Sequence, residues 1–118
     1  MLGMLEAFPR LEKVSDGRYL LKAIMRECRG WLEEITIADK AHGELSRAAL
    51  AASGITLTIR EIFSSKGFEE AEIQLRDGRY LVLRTYNGGY VIALTKPNPN
   101  LGLIRLTFRK YLPNGDGL

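Results

Sequence analysis

The stretch from Tyr90 to Leu112, YVIALTKPNPNLGLIRLTFRKYL, constrains the fold more than any other part of the chain. Val91 to Leu94 is an apolar run short enough for a strand covered on both faces. Pro97 and Pro99 end it, because each lacks an amide donor and biases its predecessor away from helix. Asn100 is placed to cap the helix that follows, in which Leu101, Ile104, Phe108 and Tyr111 or Leu112 recur at helical spacing. Gly102 costs about 1 kcal/mol as a helix former, which predicts a close approach of the helix backbone to the sheet there.

The residues before this segment extend the sheet. Ala71, Ile73 and Leu75 alternate with Glu70, Glu72, Gln74 and Arg76, the pattern of a half-buried strand. Asp77-Gly78 signals a two-residue hairpin. Arg79 to Tyr86 forms the next strand, and Asn87-Gly88-Gly89 turns the chain into Tyr90 to Thr95. Residues 69–95 therefore read as a three-strand antiparallel meander.

Two further helices are predicted upstream. Over 44–66, Leu45, Ala48, Ala52, Ile55, Ile59, Ile62 and Phe63 share a face, and Lys66-Gly67 looks like a stop. The β-branched run from Ile55 to Ile59 has some strand propensity. Over 18–36, Leu20, Leu21, Ile24, Met25, Cys28, Trp31, Leu32 and Ile35 cover a face about 140° wide. Arg18, Lys22, Arg26, Arg29 and Glu33 lie opposite, with Ser15 or Asp16 as cap. Gly30 either weakens the middle of this helix or ends it. In the second case Trp31 to Ala38 is a strand, but Glu33 and Glu34 break the alternation and favour helix. The repeat of Asp16-Gly17-Arg18-Tyr19-Leu20 as Asp77-Gly78-Arg79-Tyr80-Leu81 leaves open a hairpin over 11–25.

The expected architecture is α+β: an antiparallel sheet of three to five strands with helices over about 18–36, 44–66 and 100–112 packed on it. One domain spans 1–118, with residues 1–17 unassigned and 113–118 a tail. A chain of 118 residues buries roughly two-thirds of its unfolded surface, enough for a core without staples. No apolar run approaches the roughly 18 residues of a membrane span, and the opening MLGMLEAFPR lacks a secretion-signal pattern. Cys28 is the single cysteine, which excludes an intramolecular disulfide and points to a reducing cytoplasm.

Catalytic chemistry finds no foothold. His42, the one histidine, sits in a linker without clustered cysteines, paired carboxylates or a nearby nucleophile. Cys28 falls on an apolar helical face, where packing outweighs reactivity. Glu69, Glu70 and Glu72 make no obvious ligand set, and Gly88-Gly89 lacks phosphate-loop spacing. No enzyme activity, metal or cofactor is expected. The net charge of +3 permits nucleic-acid binding, in which Arg76, Arg79, Arg84, Arg105 and Arg109 would contact phosphates. Interleaved acids favour an ordinary solvated surface instead.

The second helix is more telling. Opposite its core face lie Leu50 and Leu57, two turns apart, among Ser46, Ser53, Gly54 and Ser64. A solvated surface would carry Lys and Glu there, and small side chains let another helix come close. This face is expected to meet a partner, with Arg47, Arg60 and Glu61 at its rim. The strand from Glu70 to Arg76 starts the meander and can lie at the sheet edge, where the alternating Glu residues would allow protection by charge and Ile73 and Leu75 would allow pairing with another chain.

The segment Asn100-Leu101-Gly102-Leu103-Ile104-Arg105-Leu106, directly after an apolar strand, resembles the closing motif of the roadblock/dynein-light-chain family. The likeness covers roughly residues 44 to 112. It implies a roadblock/profilin-like fold and a non-enzymatic, cytoplasmic homodimer that binds a small Ras-like GTPase and modulates its nucleotide cycle. It also implies that residues 44–66 pack against their copy and that strand 69–76 joins two sheets. The dimer residues would be Ser46, Leu50, Ser53, Gly54, Leu57, Ile73 and Leu75. The family opens helix–strand–strand, and no two strands can be placed before Leu45.

Overall fold

The computed structural model describes residues 18–64 and 67–113. Helix α1 covers residues 18–27. It is followed by strand β1 (Leu32–Ile37), a 3-10 turn (Ala38–Lys40), helix α2 (Glu44–Phe63), strands β2 (Glu70–Gln74), β3 (Tyr80–Tyr86) and β4 (Gly89–Thr95), and helix α3 (Leu101–Tyr111). The four strands form one antiparallel sheet in the order β1-β4-β3-β2. Both the meander and the closing helix lie where the pattern of residues puts them.

Period-two alternation along the strands divides the core into two layers. Val82, Val91 and Ala93 face Ile24 of α1, Cys28 just past its end, and Ile104 and Phe108 of α3. Leu83, Ile92 and Leu94 face Leu45 and Ala52 of α2. The sheet thus carries α2 on one side and α1 with α3 on the other. Strand β4, flanked by β1 and β3 and covered on both faces, is buried from Val91 to Thr95.

The predicted helix over 18–36 is corrected. Gly30, at φ +91°, takes the left-handed conformation that ends a helix. The Trp31 amide then donates to the Cys28 carbonyl at 2.9 Å, and the chain leaves as β1. The consecutive Glu33 and Glu34 that hid the strand are absorbed by an irregularity in its register between Leu32 and Glu34, a bulge that resets the alternation. Residues 18–25 are helical, against the hairpin alternative, while 11–17 fall outside the described residues. Among the described residues one strand, where the resemblance implies two, precedes α2.

At the other end of α2, the helix stops at Phe63 with Ser64 left-handed as its C-cap. The predicted extension to Lys66 lies partly outside the described residues. The buried stripe of α2 is Leu45, Ala52 and Thr56. Ile55, Ile62 and Phe63, expected in the core, are 44%, 65% and 69% exposed. Thr56 takes the inward position because its hydroxyl is satisfied there. It donates to the Ala52 carbonyl at 2.9 Å and accepts from the Tyr90 hydroxyl, while the Tyr90 ring stacks on Phe68 at 5.1 Å. A Cβ on Gly67 would sit 2.8 Å from Thr56 Cγ2, so only glycine lets the chain pass this close.

The turns follow local chemistry. Asn87 and Gly88, at φ 51° and 80°, form the tight turn of the β3–β4 hairpin. At the β2–β3 connection the Gly78 amide donates to Leu75 O at 3.1 Å and the Leu75 amide to Arg79 O at 2.7 Å. That loop has three residues, one more than expected. Asn100 caps α3 by accepting from the Leu103 amide at 3.1 Å. Gly102 does not touch the sheet: it is exposed, and an added Cβ would meet only the Asn100 side chain, at 3.6 Å.

Candidate protein–protein interface

The outward side of α2 carries an apolar surface that its own chain leaves uncovered. Leu50 is 75% and Leu57 60% exposed, with Ser53 and Gly54 exposed between them and Ser46 half-buried. The hydroxyls on this helix are turned back on the backbone. Ser46 donates to Gly43 O at 2.7 Å, Ser53 to Ala49 O at 3.2 Å and Thr58 to Gly54 O at 3.0 Å. What they offer outward is largely apolar. No Cβ contact within 4 Å stands over Gly54, leaving room for another backbone.

Among the described residues strand β2 is a sheet edge, paired with β3 alone. Ile73 is 42% exposed on the α2 side. Leu75, grouped with it in the sequence reading, instead packs against the core cluster beneath α2. An open groove of about 850 Å³ borders the same helix, between Ser46, Leu50 and Ser53 on one side and Ile37, Tyr86 and Tyr90 on the other. Ile55, Ile62 and Phe63 add apolar surface that the sequence reading assigned to the core. Their exposure was signalled by Thr56, whose placement on the buried stripe rotates both isoleucines to the flank.

The arginines proposed for phosphate contact are mostly committed to carboxylates. Arg79 pairs with Asp77 at 2.8 Å and Glu33 at 3.4 Å, Arg105 with Glu72 at 2.6 Å, and Arg109 with Glu70 at 2.5 Å. Arg84 is buried, pairing with Glu70 at 2.6 Å and Glu69 at 3.2 Å. Of the five, only Arg76 makes no ion pair among the described residues. Arginines already neutralised give a weak phosphate footprint.

His42 is exposed in the linker before α2. Cys28 is fully buried and burial pushes its thiol up, so little thiolate is available for chemistry. Among the described residues no cluster of His, Cys, Asp and Glu could hold a metal ion, and no helix is long and apolar enough to cross a membrane. Of the closing motif, Ile104 is fully buried against the sheet and Leu101 packs beside it, Leu103 is half-buried, and Asn100 is the cap. These residues build the fold and present no site.

No protein-family model matches the sequence, and no curated protein matches it. Among solved structures, that of the gliding protein MglB from Thermus thermophilus matches with a TM-score of 0.58. The identity is 13%, over 80% of this chain and 82% of that one. The likeness is one of fold. Together with the sheet order and the helices on both faces, it supports the roadblock-like α+β arrangement.

Proposed function

We propose that this chain is a homodimeric scaffold without chemistry of its own, which binds a small Ras-like GTPase and modulates its nucleotide cycle. One observation carries the reading: α2, with its sheet-facing stripe buried, still exposes Leu50 by 75% and Leu57 by 60%. The midpoint of α2 (Glu44–Phe63) falls between Ser53 and Gly54. A twofold axis there sets Leu50 of each copy against Leu57 of the other, the self-complementary contact a symmetric dimer needs.

Covering a leucine is worth about 1.5–3 kcal/mol, whereas association costs about 4–15 kcal/mol. Four leucines barely offset that cost, so the β2 edge with Ile73 has to join the interface. Ile55 and Ile62 lie about 140° around the helix from Leu50 and Leu57, at 100° per residue. A single helix cannot cover both flanks. The second copy takes the leucine flank, and the isoleucine flank remains for the GTPase. The class of partner rests on the resemblance of Asn100 to Leu106 and on the fold shared with a gliding protein.

Sedimentation and light scattering test the dimer first. Wild-type protein is expected to be a dimer, and Leu50→Arg with Leu57→Arg a folded monomer, because pairing would bury unpaired charge. A wild type that stays monomeric at high micromolar concentration sinks the reading. Immobilised wild-type protein should then retain a GTP-binding protein from native cytosol and change its hydrolysis rate. Ile55→Arg with Ile62→Arg should lose that capture while remaining dimeric.

A further inference from the structure

We propose that the outer face of α1 docks on an anionic lipid surface. Arg18, Lys22 and Arg26 occupy successive turns of the helix, about 6 Å apart along its axis, and Arg29 follows where it ends. All four are exposed, and none forms an ion pair among the described residues. Arg79, Arg84, Arg105, Arg109 and Lys110, by contrast, each hold a carboxylate.

Between Arg18 and Arg29 the four cations stand against Glu27 alone, a net +3 that equals the formal charge of the whole chain. Everything outside this segment balances. Glu27 does not quench the stripe, because it is turned toward α3, where Lys110 reaches it at 3.1 Å and the Tyr111 hydroxyl also donates to it. The excess positive charge of this segment is therefore gathered on one side of α1 and the turn that ends it.

The shape of that face selects the occupant. The other side of α1 is locked in the core through Ile24, so Lys22 and Arg26 point away from it, while Arg18, at the start of the helix, also borders the groove beside α2. Lys22 and Arg26 stand on the convex outer side of the helix, where a small phosphate compound would find no enclosing walls. Tyr19 projects beside them, 71% exposed, and Leu106 projects from α3, 68% exposed, one turn before Lys110. Basic side chains beside an exposed aromatic, with an aliphatic tip on the neighbouring helix, suit a lipid headgroup region, where charge attracts and the tips enter the acyl boundary. A nucleic-acid strand would call for several aromatics on which successive bases stack.

Co-sedimentation of the full chain with vesicles tests this, using phosphatidylcholine alone and phosphatidylcholine mixed with phosphatidylserine. Binding is expected only to the mixed vesicles, and it should vanish between about 0.01 M and 1 M salt, as the screening length falls from ~30 Å to ~3 Å. Lys22→Ala with Arg26→Ala should weaken it about 25-fold, near fivefold for each cation removed. Arg76→Ala, on the β2–β3 loop, should leave it unchanged. Circular dichroism of each variant establishes that the fold is kept, which the exposure of these side chains favours. Equal binding to both vesicle types, no binding at low salt, wild-type binding by the double variant, or retention on mixed-sequence DNA in place of vesicles would each overturn the proposal.

Discussion

Arg84 sits in the middle of β3 with only 5% of its surface exposed, and each of its guanidinium nitrogens has a partner. Nε donates to the Leu112 carbonyl at 2.6 Å, Nη1 to Glu70 at 2.6 Å and Nη2 to Glu69 at 3.2 Å. A buried cation persists only where charge and donors are both matched, and here the match ties the end of α3 to the β2–β3 pair. Arg84→Ala leaves the Leu112 carbonyl without that donor and Glu70 with Arg109 alone. We expect it to cost about 3 kcal/mol, read as a lower urea midpoint at unchanged slope. Glu70 also reports on pH. Its bond from Arg109, then the charges of Arg109 and Arg84, hold its carboxyl below the ordinary 4.5. A folded-state value below the unfolded one means the stabilisation is complete above about 4.5 and is lost as pH falls through the folded value. Glu27, bonded by Tyr111, and Asp77, bonded by the Arg79 amide, are lowered in the same sense. The melting temperature should therefore drop below pH 4.5, and Glu70→Gln should remove part of that drop.

At the scale of elements, three glycines behave in opposite ways, which makes them a test of how the segments are bounded. Gly30 ends α1 at φ +91° with open space around it, so its role is conformational. Gly30→Ala is expected to destabilise by about 1–2 kcal/mol, the cost of a left-handed side-chain residue. Gly102 lies inside α3 without a positive φ and with only ordinary contact awaiting a methyl group. Gly102→Ala should stabilise by about 0.5–1 kcal/mol, and thermal melts of the two variants should move in opposite directions. These positions also show what a sequence can disclose. The Asn87-Gly88 turn, the proline corner and the Asn100 cap are set by chemistry within a few residues and were readable. The α1–β1 boundary was not, because the bulge at Glu33 and Glu34 erased the period of two while the apolar residues on both sides of Gly30 happened to fit one helical face. In α2, β-branched residues at Ile55 and Ile62 imitated a core stripe. Small residues at Ala48, Ala52 and Thr56 take that place, and their value depends on Tyr90, thirty-four positions away from Thr56.

For the whole molecule, the candidate site was half legible: the leucine flank could be read because only small side chains, Ser53 and Gly54, separate the two leucines on that side, whereas the isoleucine flank required knowing how α2 is rotated on the sheet. Gly54, the third of those glycines, connects that rotation to assembly. Within one chain, a methyl group at Gly54 would meet nothing within 4 Å, and replacing a mid-helix glycine by alanine is worth about 1 kcal/mol. A chain that works alone should therefore gain stability from Gly54→Ala at every concentration. A chain whose α2 crosses its copy at this point should not, because the methyl group would push apart two backbones that small residues bring together. Mass action separates the cases, since a dimer that does not form when unfolded makes the melting temperature rise with protein concentration. We expect the wild type to show that rise and Gly54→Ala to lose most of it, with dimer affinity at least about tenfold weaker, or 1.4 kcal/mol. In a Leu50→Arg, Leu57→Arg background, where the copies are already apart, the same Gly54→Ala change should raise the melting temperature. A gain in both backgrounds would place the crossing point away from Gly54 and remove the twofold axis argued for α2.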